Sequence, residues 1–200
     1  MNNPRKLLFL AVMACGVAAA QQSQNSEISV LVGASNPASS VVTSGSTVKV
    51  SASVSAALHL GYGYQVHSWR AGYLYLEFPA TFTFGGNISI LGSGVLSTSE
   101  NSVVWFTPGI RFKLPIHSRL SAYGVAGGGA QIRRRSAVNV GTAGVLVRTE
   151  WRITGVADVG GGLDLRLTRL LSLRGEVRDF ISGGNPTQEA VYLFGLGFHF

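Results

Sequence analysis

The sequence predicts an all-β fold: an eight-stranded, antiparallel, up-and-down transmembrane β-barrel with its apolar side chains outside. Three observations predict it. First, apolar residues alternate with small or polar ones along most of the chain. At 191–200, Tyr192, Phe194, Leu196, Phe198 and Phe200 hold one parity, and Leu193, Gly195, Gly197 and His199 the other. Successive strand residues point to opposite faces, so this spacing makes one continuous aromatic and aliphatic face. Second, only 12% of residues are charged and the mean hydropathy is +0.29, yet no apolar run beyond the amino terminus is long enough for a membrane-spanning helix. Strands reconcile the two, because alternation can face lipid without a continuous hydrophobic segment. Third, the links near 36–46, 86–102, 133–153 and 183–189 are longer than those near 67–71, 115–119 and 168–170. Barrels of this kind have short periplasmic turns, longer extracellular hairpin loops and, for an even strand number, both ends in the periplasm.

The amino terminus reads as an export signal. Arg5 and Lys6 precede the apolar run 7–17 and then Ala18-Ala19-Ala20, which is the basic, apolar and small order of a secretory peptide. The expected organisation is therefore a signal peptide over 1–20, a short polar lead-in over 21–25 and a barrel over 26–200. An alternative makes Cys15 a lipidated first residue, but Met13 fits a lipobox poorly. Cys15 is the sole cysteine, so the cleaved chain has neither a disulfide framework nor a Cys-ligated metal. Removing Arg5 and Lys6 lowers the net charge from +7 to +5, an excess that does not by itself argue for nucleic acid.

In chain order, Ile28, Val30 and Val32 begin the first strand, with a bulge or break expected at Pro37 and a turn at Ser44-Gly45-Ser46. The longest alternation runs from Val48 to Val66 and should project beyond the bilayer, since roughly 9–11 tilted residues suffice to cross it. His67 to Gly72 is a short connection. Leu74, Leu76, Phe78, Ala80, Phe82 and Phe84 form the outward face of the third strand, and 85–102 reads as a longer loop with a hairpin turn at Gly92-Ser93-Gly94. Val104, Phe106, Ile110, Phe112 and Leu114 bring the chain back. Glycines at 124 and 127–129 dilute the pattern of Leu120–Ile132 and leave its parity open. Val138 and Val140, then Val145 and Val147, flank Gly141-Thr142-Ala143-Gly144, so the stretch 133–153 is a protruding ribbon rather than a loop. Val159, Leu163, Leu165 and Leu167 face outward on the sixth strand, and a turn near 168–170 leads to the seventh. Asp179 falls on the outward parity there, so either it stands at headgroup level or a bulge turns it inward, because mid-membrane would be costly. Gly183-Gly184-Asn185-Pro186 closes the last hairpin.

Over Ser26–Phe200 the chain resembles the small eight-stranded outer-membrane barrels of OmpA/OmpX type. The residues that carry the likeness are the terminal aromatic Phe200 and the apolar residues at every second position before it: Phe198, Leu196, Phe194 and Tyr192. The resemblance implies that this strand is an assembly signal, read by the barrel-assembly machinery during insertion from the periplasm into the outer membrane of a diderm bacterium. No peptidoglycan-binding domain is expected after the barrel.

Inward parities hold Glu77, Arg111, Lys113, Asp158, Asp164, Arg166, Arg174, Glu176 and Arg178. An eight-stranded barrel is just wide enough for side chains to fill, and charges of mixed sign suit a paired plug better than a pore of one sign. The alternative is a gated ion path. Arg133, Arg134 and Arg135, with Arg148 and Arg152 on the returning strand, are split by alternation over both faces of the ribbon. Guanidinium groups bind phosphates bidentately, so these arginines are candidates for contact with lipopolysaccharide or another polyanion, against the plainer reading of a solubilising edge. His59, His67, His117 and His199 show no metal-site spacing. His59 is the one plausible base for an outer-leaflet lipid-modifying enzyme, and it has no carboxylate partner in its strand. Gly160-Gly161-Gly162 precedes no helix and is not a phosphate loop.

The expected role is structural or interactive: membrane integrity, adhesion or lipopolysaccharide contact by a monomer surrounded by outer-membrane lipid. No catalytic, metal or cofactor residues and no nucleic-acid partner are expected. A narrow low-conductance channel is the alternative, an outer-leaflet lipid enzyme a third. A soluble lipocalin-like barrel would put apolar faces inside, and the inward charges argue against it.

Overall fold

In the computed structural model the described residues are 25–37, 49–52, 54–92, 95–141, 144–183 and 188–200, with the backbone alone described at 37, 49–52, 86–92, 95–101, 135–141 and 144–148. The signal region with Cys15, the expected turn at 44–46 and the tip of the last hairpin lie outside them. Ten strand segments follow in order: β1 (Ser26–Pro37), β2 (Lys49–Ala52), β3 (Ser55–Trp69), β4 (Gly72–Gly92), β5 (Val95–Phe106), β6 (Gly109–Pro115), β7 (Leu120–Gly141), β8 (Gly144–Arg166), β9 (Leu171–Ser182) and β10 (Gln188–His199). They form a ring of eight antiparallel staves.

Two staves are interrupted without losing register. β2 and β3 share one, because Ala52↔Ile88 and Ala56↔Phe84 keep the same offset against β4. β5 and β6 share another: Glu77↔Gly109 and Ala80↔Phe106 bracket Thr107–Pro108, which faces the stretch Phe78–Pro79 of β4. Proline has no amide hydrogen to give to a ladder, and Pro108 turns its carbonyl to Gly128 N of β7 at 3.2 Å, so ladder bonds are missing around this point while the strands stay in line. The ring closes between β1 and β10, from Glu27↔His199 to Pro37↔Glu189. Ser26 N donates to Phe200 O at 3.0 Å and Phe200 N to Ser26 O at 2.9 Å, tying the two ends together at the short-turn rim.

The outer surface is a belt of large exposed side chains, among them Val30, Leu60, Tyr62, Phe78, Phe106, Ile110, Leu163, Val177, Tyr192, Phe194 and Phe198. Water does not tolerate a contiguous apolar girdle of this extent, whereas acyl chains do. On β7 the inward residues are Tyr123, Val125 and Gln131, which leaves Ala122, Gly124, Ala126, Gly128 and Ala130 outside. The outer face of that stave is thus small rather than apolar and large, which is why its alternation is faint in the sequence. Glycines opposite bulky inward residues let the wall bend: Tyr123 lies in register with Gly162, where a Cβ would come within 2.7 Å of the ring's Cζ.

At the other rim the staves are unequal. β9 and β10 are short, while β4, β5, β7 and β8 run on as a continuous sheet in the order β2-β4-β5-β7-β8, through Lys49↔Leu91, Leu91↔Leu96, Leu96↔Val140 and Val140↔Val145. The expected loop over 85–102 is therefore a strand pair. Ladder bonds to β2 on one side and β7 on the other hold its Ser, Asn and Gly residues extended, a tertiary effect that outweighs their low strand propensity. The pairing shifts between Thr83 and Gly86, where Gly85 takes φ 77°, a value open to glycine. The expected connection over 67–72 is shorter than read: β3 continues to Trp69 and β4 starts at Gly72.

Candidate functional site

The lumen is filled at three levels, each with its own chemistry. The level nearest the short turns is ionic. Arg111, Lys113, Arg174 and Arg178 meet Glu27, Glu77, Asp158, Asp164 and Glu176, four cations against five carboxylates, all buried. Arg178 reaches Asp158 at 2.8 Å and Glu77 at 2.9 Å and also pairs with Glu176. Arg174 bridges Glu27 at 2.6 Å and Asp164 at 3.2 Å. Arg111 pairs with Glu27 and lies 3.5 Å from Glu77, and Lys113 pairs with Asp164. Tyr123 donates to Glu176 at 2.7 Å, and its ring lies under both Arg111 and Arg174, at 5.5 and 5.2 Å. These contacts join every charged member into one chain, so each buried charge has an opposite neighbour, the condition for tolerating charge in a low-dielectric interior.

Arg166 is not part of this chain. It is the last residue of β8, exposed at the rim beyond the level of the other eight residues of its set. Glu27, absent from the inward set expected from the sequence, is central, touching Arg111, Arg174 and, at 3.6 Å, His199. Its parity, shared with Ser29 and the lumen, is the sequence signal that identifies it.

Above the ions lies an apolar level. Trp105 and Phe180 stack with ring centroids 4.5 Å apart and an interplanar angle of 16°, surrounded by Leu31, Val103, Val156, Val191 and Leu193. All are inward by parity, yet their apolar character masks this in a sequence where apolar otherwise means outward. His59 lies at the same depth, fully buried, with Nδ1 2.8 Å from Thr81 Oγ1. A base in that position cannot meet a lipid of the outer leaflet. Nearer the ribbons a second polar level closes the lumen: Glu189 accepts from Ser35 and from Arg133 at 3.4 Å, and Ser182 bonds Gln131.

That level corrects the expectation for the arginines of the ribbon. Arg133 turns into the barrel to Glu189, since it shares the inward parity of Gln131. Arg134 is outside and exposed, its guanidinium 5.7 Å from the ring of Trp151, its register partner. Arg152 is exposed too, but as the register partner of Arg133 it lies on the lumen side of the ribbon. Arg135 pairs in register with Glu150 and Arg148 with Ala137, and the side chains of Arg135 and Arg148 are outside those described. Asp179 keeps the outward parity of Val177 and Ile181, takes a hydrogen bond from Gln188 and stands close to the end of β9. No bulge turns it inward, because the β9 register is unbroken on both sides. His199, Glu27 and Asp164 come close enough to share a cation, but Arg174 already occupies the space between the two carboxylates. Of the carboxy-terminal aromatics, Tyr192, Phe194 and Phe198 are exposed on the outer face with Leu196, and Phe200 is half-buried at the rim.

An apolar belt around a lumen packed with side chains defines a transmembrane β-barrel of the smallest size class. No protein-family model matches the sequence, and no curated protein does. Among solved structures, the outer-membrane protein OprG from Pseudomonas aeruginosa is similar with a TM-score of 0.56 at 12% identity, over 88% of this chain and 96% of that one. Neisserial surface protein A matches with a TM-score of 0.53 at 12% identity, over 88% and 97%. Ail of Yersinia pestis, in complex with the heparin analogue sucrose octasulfate, gives 0.49 at 16% identity, over 88% and 99%. The chain thus has the fold of the small outer-membrane barrels of OmpA/OmpX type.

Proposed function

We propose that this protein is a non-conducting barrel of the outer membrane that serves as a structural and surface-interaction element. The filling of the lumen carries this reading: an ionic network, the Trp105–Phe180 stack and the Glu189–Arg133 level lie one above another, and water would have to displace all three. The sheet β2-β4-β5-β7-β8 then supplies what such a plug lacks, an extended surface beyond the apolar belt on which another molecule can dock. In this reading residues 1–20 are cleaved after export, the strand ending at Phe200 is read by the barrel-assembly machinery, and the folded chain works as a monomer with the ribbons extracellular.

Planar-bilayer recording tests the first part. Purified protein is expected to give no unitary conductance above the lipid baseline, and reproducible steps of constant size would overturn the reading in favour of the narrow channel.

Lipopolysaccharide contact belongs to the same proposal and now rests on Arg134, the exposed arginine on the outer face of the ribbon base among the described side chains. Arg134 stands on the outer face beside Trp151, a residue type that concentrates at membrane interfaces. Its charge is therefore offered at the level of lipid phosphates. The variant Arg134→Ser should co-purify with less lipopolysaccharide than the parent. Equal lipid content would remove this part of the proposal and leave the sealed barrel intact.

A further inference from the structure

The short-turn rim holds a cavity of about 400 Å³ between Asn25, the β6–β7 turn and the end of β8. It is blind. Lys113, Asp164 and the ionic network behind them form its inner end, so it opens only to the side on which the short turns lie. Three cations line it, Lys113, Arg119 and Arg166, against one carboxylate, Asp164. That carboxylate is committed inward, holding Lys113 and, at 3.2 Å, Arg174. Arg119 and Arg166 have no ion pair with a carboxylate among the described residues, and both are exposed to the opening. Their spacing is set by the backbone: Arg166 N donates to Arg119 O at 2.7 Å, which holds the turn against the end of β8. Ser118 and Ser121 add hydroxyl donors on the same wall.

We propose that this vestibule binds a metabolite-sized polyanion, one with phosphate or carboxylate groups on a polar body. Two guanidinium groups carried on backbone positions tied to each other offer the planar donor pairs that such groups accept bidentately. The volume decides against a bare ion, because about 300–1,000 Å³ is the range of small-molecule sites. The polar lining decides against an acyl chain. Arg70 and Arg169, on the neighbouring short turns, do not line the cavity and serve as an internal control. The site stands apart from the ribbon surface and does not depend on that reading.

Isothermal titration of the detergent-folded protein at low ionic strength, with inorganic pyrophosphate and with citrate as probes and glucose as the neutral control, tests it. Binding of either anion, weakened about tenfold or more in Arg119→Ser with Arg166→Ser and unchanged in Arg70→Ser with Arg169→Ser, is the expected result; which anion binds names the group recognised. Gel mobility before boiling verifies that each variant is folded. Should the serine variant not fold, Arg119→Lys with Arg166→Lys retains charge and is expected to bind severalfold more weakly through loss of the bidentate geometry. The proposal is overturned if neither anion binds the parent, if glucose binds equally, if the Arg119 and Arg166 variants bind as the parent does, or if Arg70→Ser with Arg169→Ser weakens binding as much.

Discussion

Arg178 shows at the scale of one residue how the lumen is held. Its guanidinium is buried on β9 and pairs with carboxylates from β4, β8 and its own strand. Arg178→Ala leaves Glu77, Asp158 and Glu176 buried around an absent cation, and removing one partner of a buried pair costs about 3–5 kcal/mol. Urea unfolding in lipid vesicles should register a loss of that order, with Arg178→Lys intermediate because a single ammonium cannot fork between three acids. A loss under about 0.5 kcal/mol would mean the lumen is hydrated enough to screen the network. Asp179, one residue on, shows the opposite case. It faces outward near the outer end of its strand with Gln188 as its partner, and at an interface an outward acid is tolerated at about 0–1 kcal/mol. Asp179→Ala is therefore expected to change stability by less than about 1 kcal/mol in the same assay, and a gain well above that would place the residue deeper in the bilayer.

The elements divide into a belt that crosses lipid and a sheet that continues past it. Leu120–Ile132 and Ile153–Arg166 of the β7–β8 hairpin belong to the belt and the remainder to the sheet. The ribbon segments pair with one another across β4, β5, β7 and β8 and make few demands on the lumen below. Replacing 86–101 and 135–150 by short Gly-Ser turns should therefore leave a barrel that still folds and keeps Arg134, while abolishing any binding that depends on the extended sheet itself. Failure of the shortened chain to fold would assign the ribbons a role in assembly. The period-two pattern made the β7–β8 ribbon legible, since Val138, Val140, Val145 and Val147 alternate about a glycine-rich turn. The β4–β5 ribbon was not legible: Gly, Ser and Asn between 85 and 102 have the composition of a loop, and only the ladders on either side make strands of them.

Taken as a whole, the molecule is a closed ring with no free edge in its membrane-spanning part, and such rings resist denaturation by detergent until heated. Unboiled protein is expected to migrate on a detergent gel at a position different from boiled protein, and identical mobility would argue against the closed fold. Alternation, with the hydropathy and the lengths of the links, determined that the chain is an inside-out barrel of eight staves, because a strand's two faces differ by one residue in sequence and lipid demands a consistent choice between them. Which charges belong to the lumen was also largely legible, from Glu77 on β4 to Arg178 on β9, since a charge on an inward parity has few other places to go. Only the tertiary structure decided the rest. Trp105, Phe180 and Leu31 turn inward although they are apolar, Glu27 becomes a hub, Arg133 is drawn to Glu189, and Arg119 meets Arg166 at a rim that their separation in sequence conceals. The physical reason is the same in each case. Parity says which side of the wall a side chain takes, whereas the height at which staves from distant parts of the chain meet depends on how the ring closes, and that is a property of register between strands and not of any one of them.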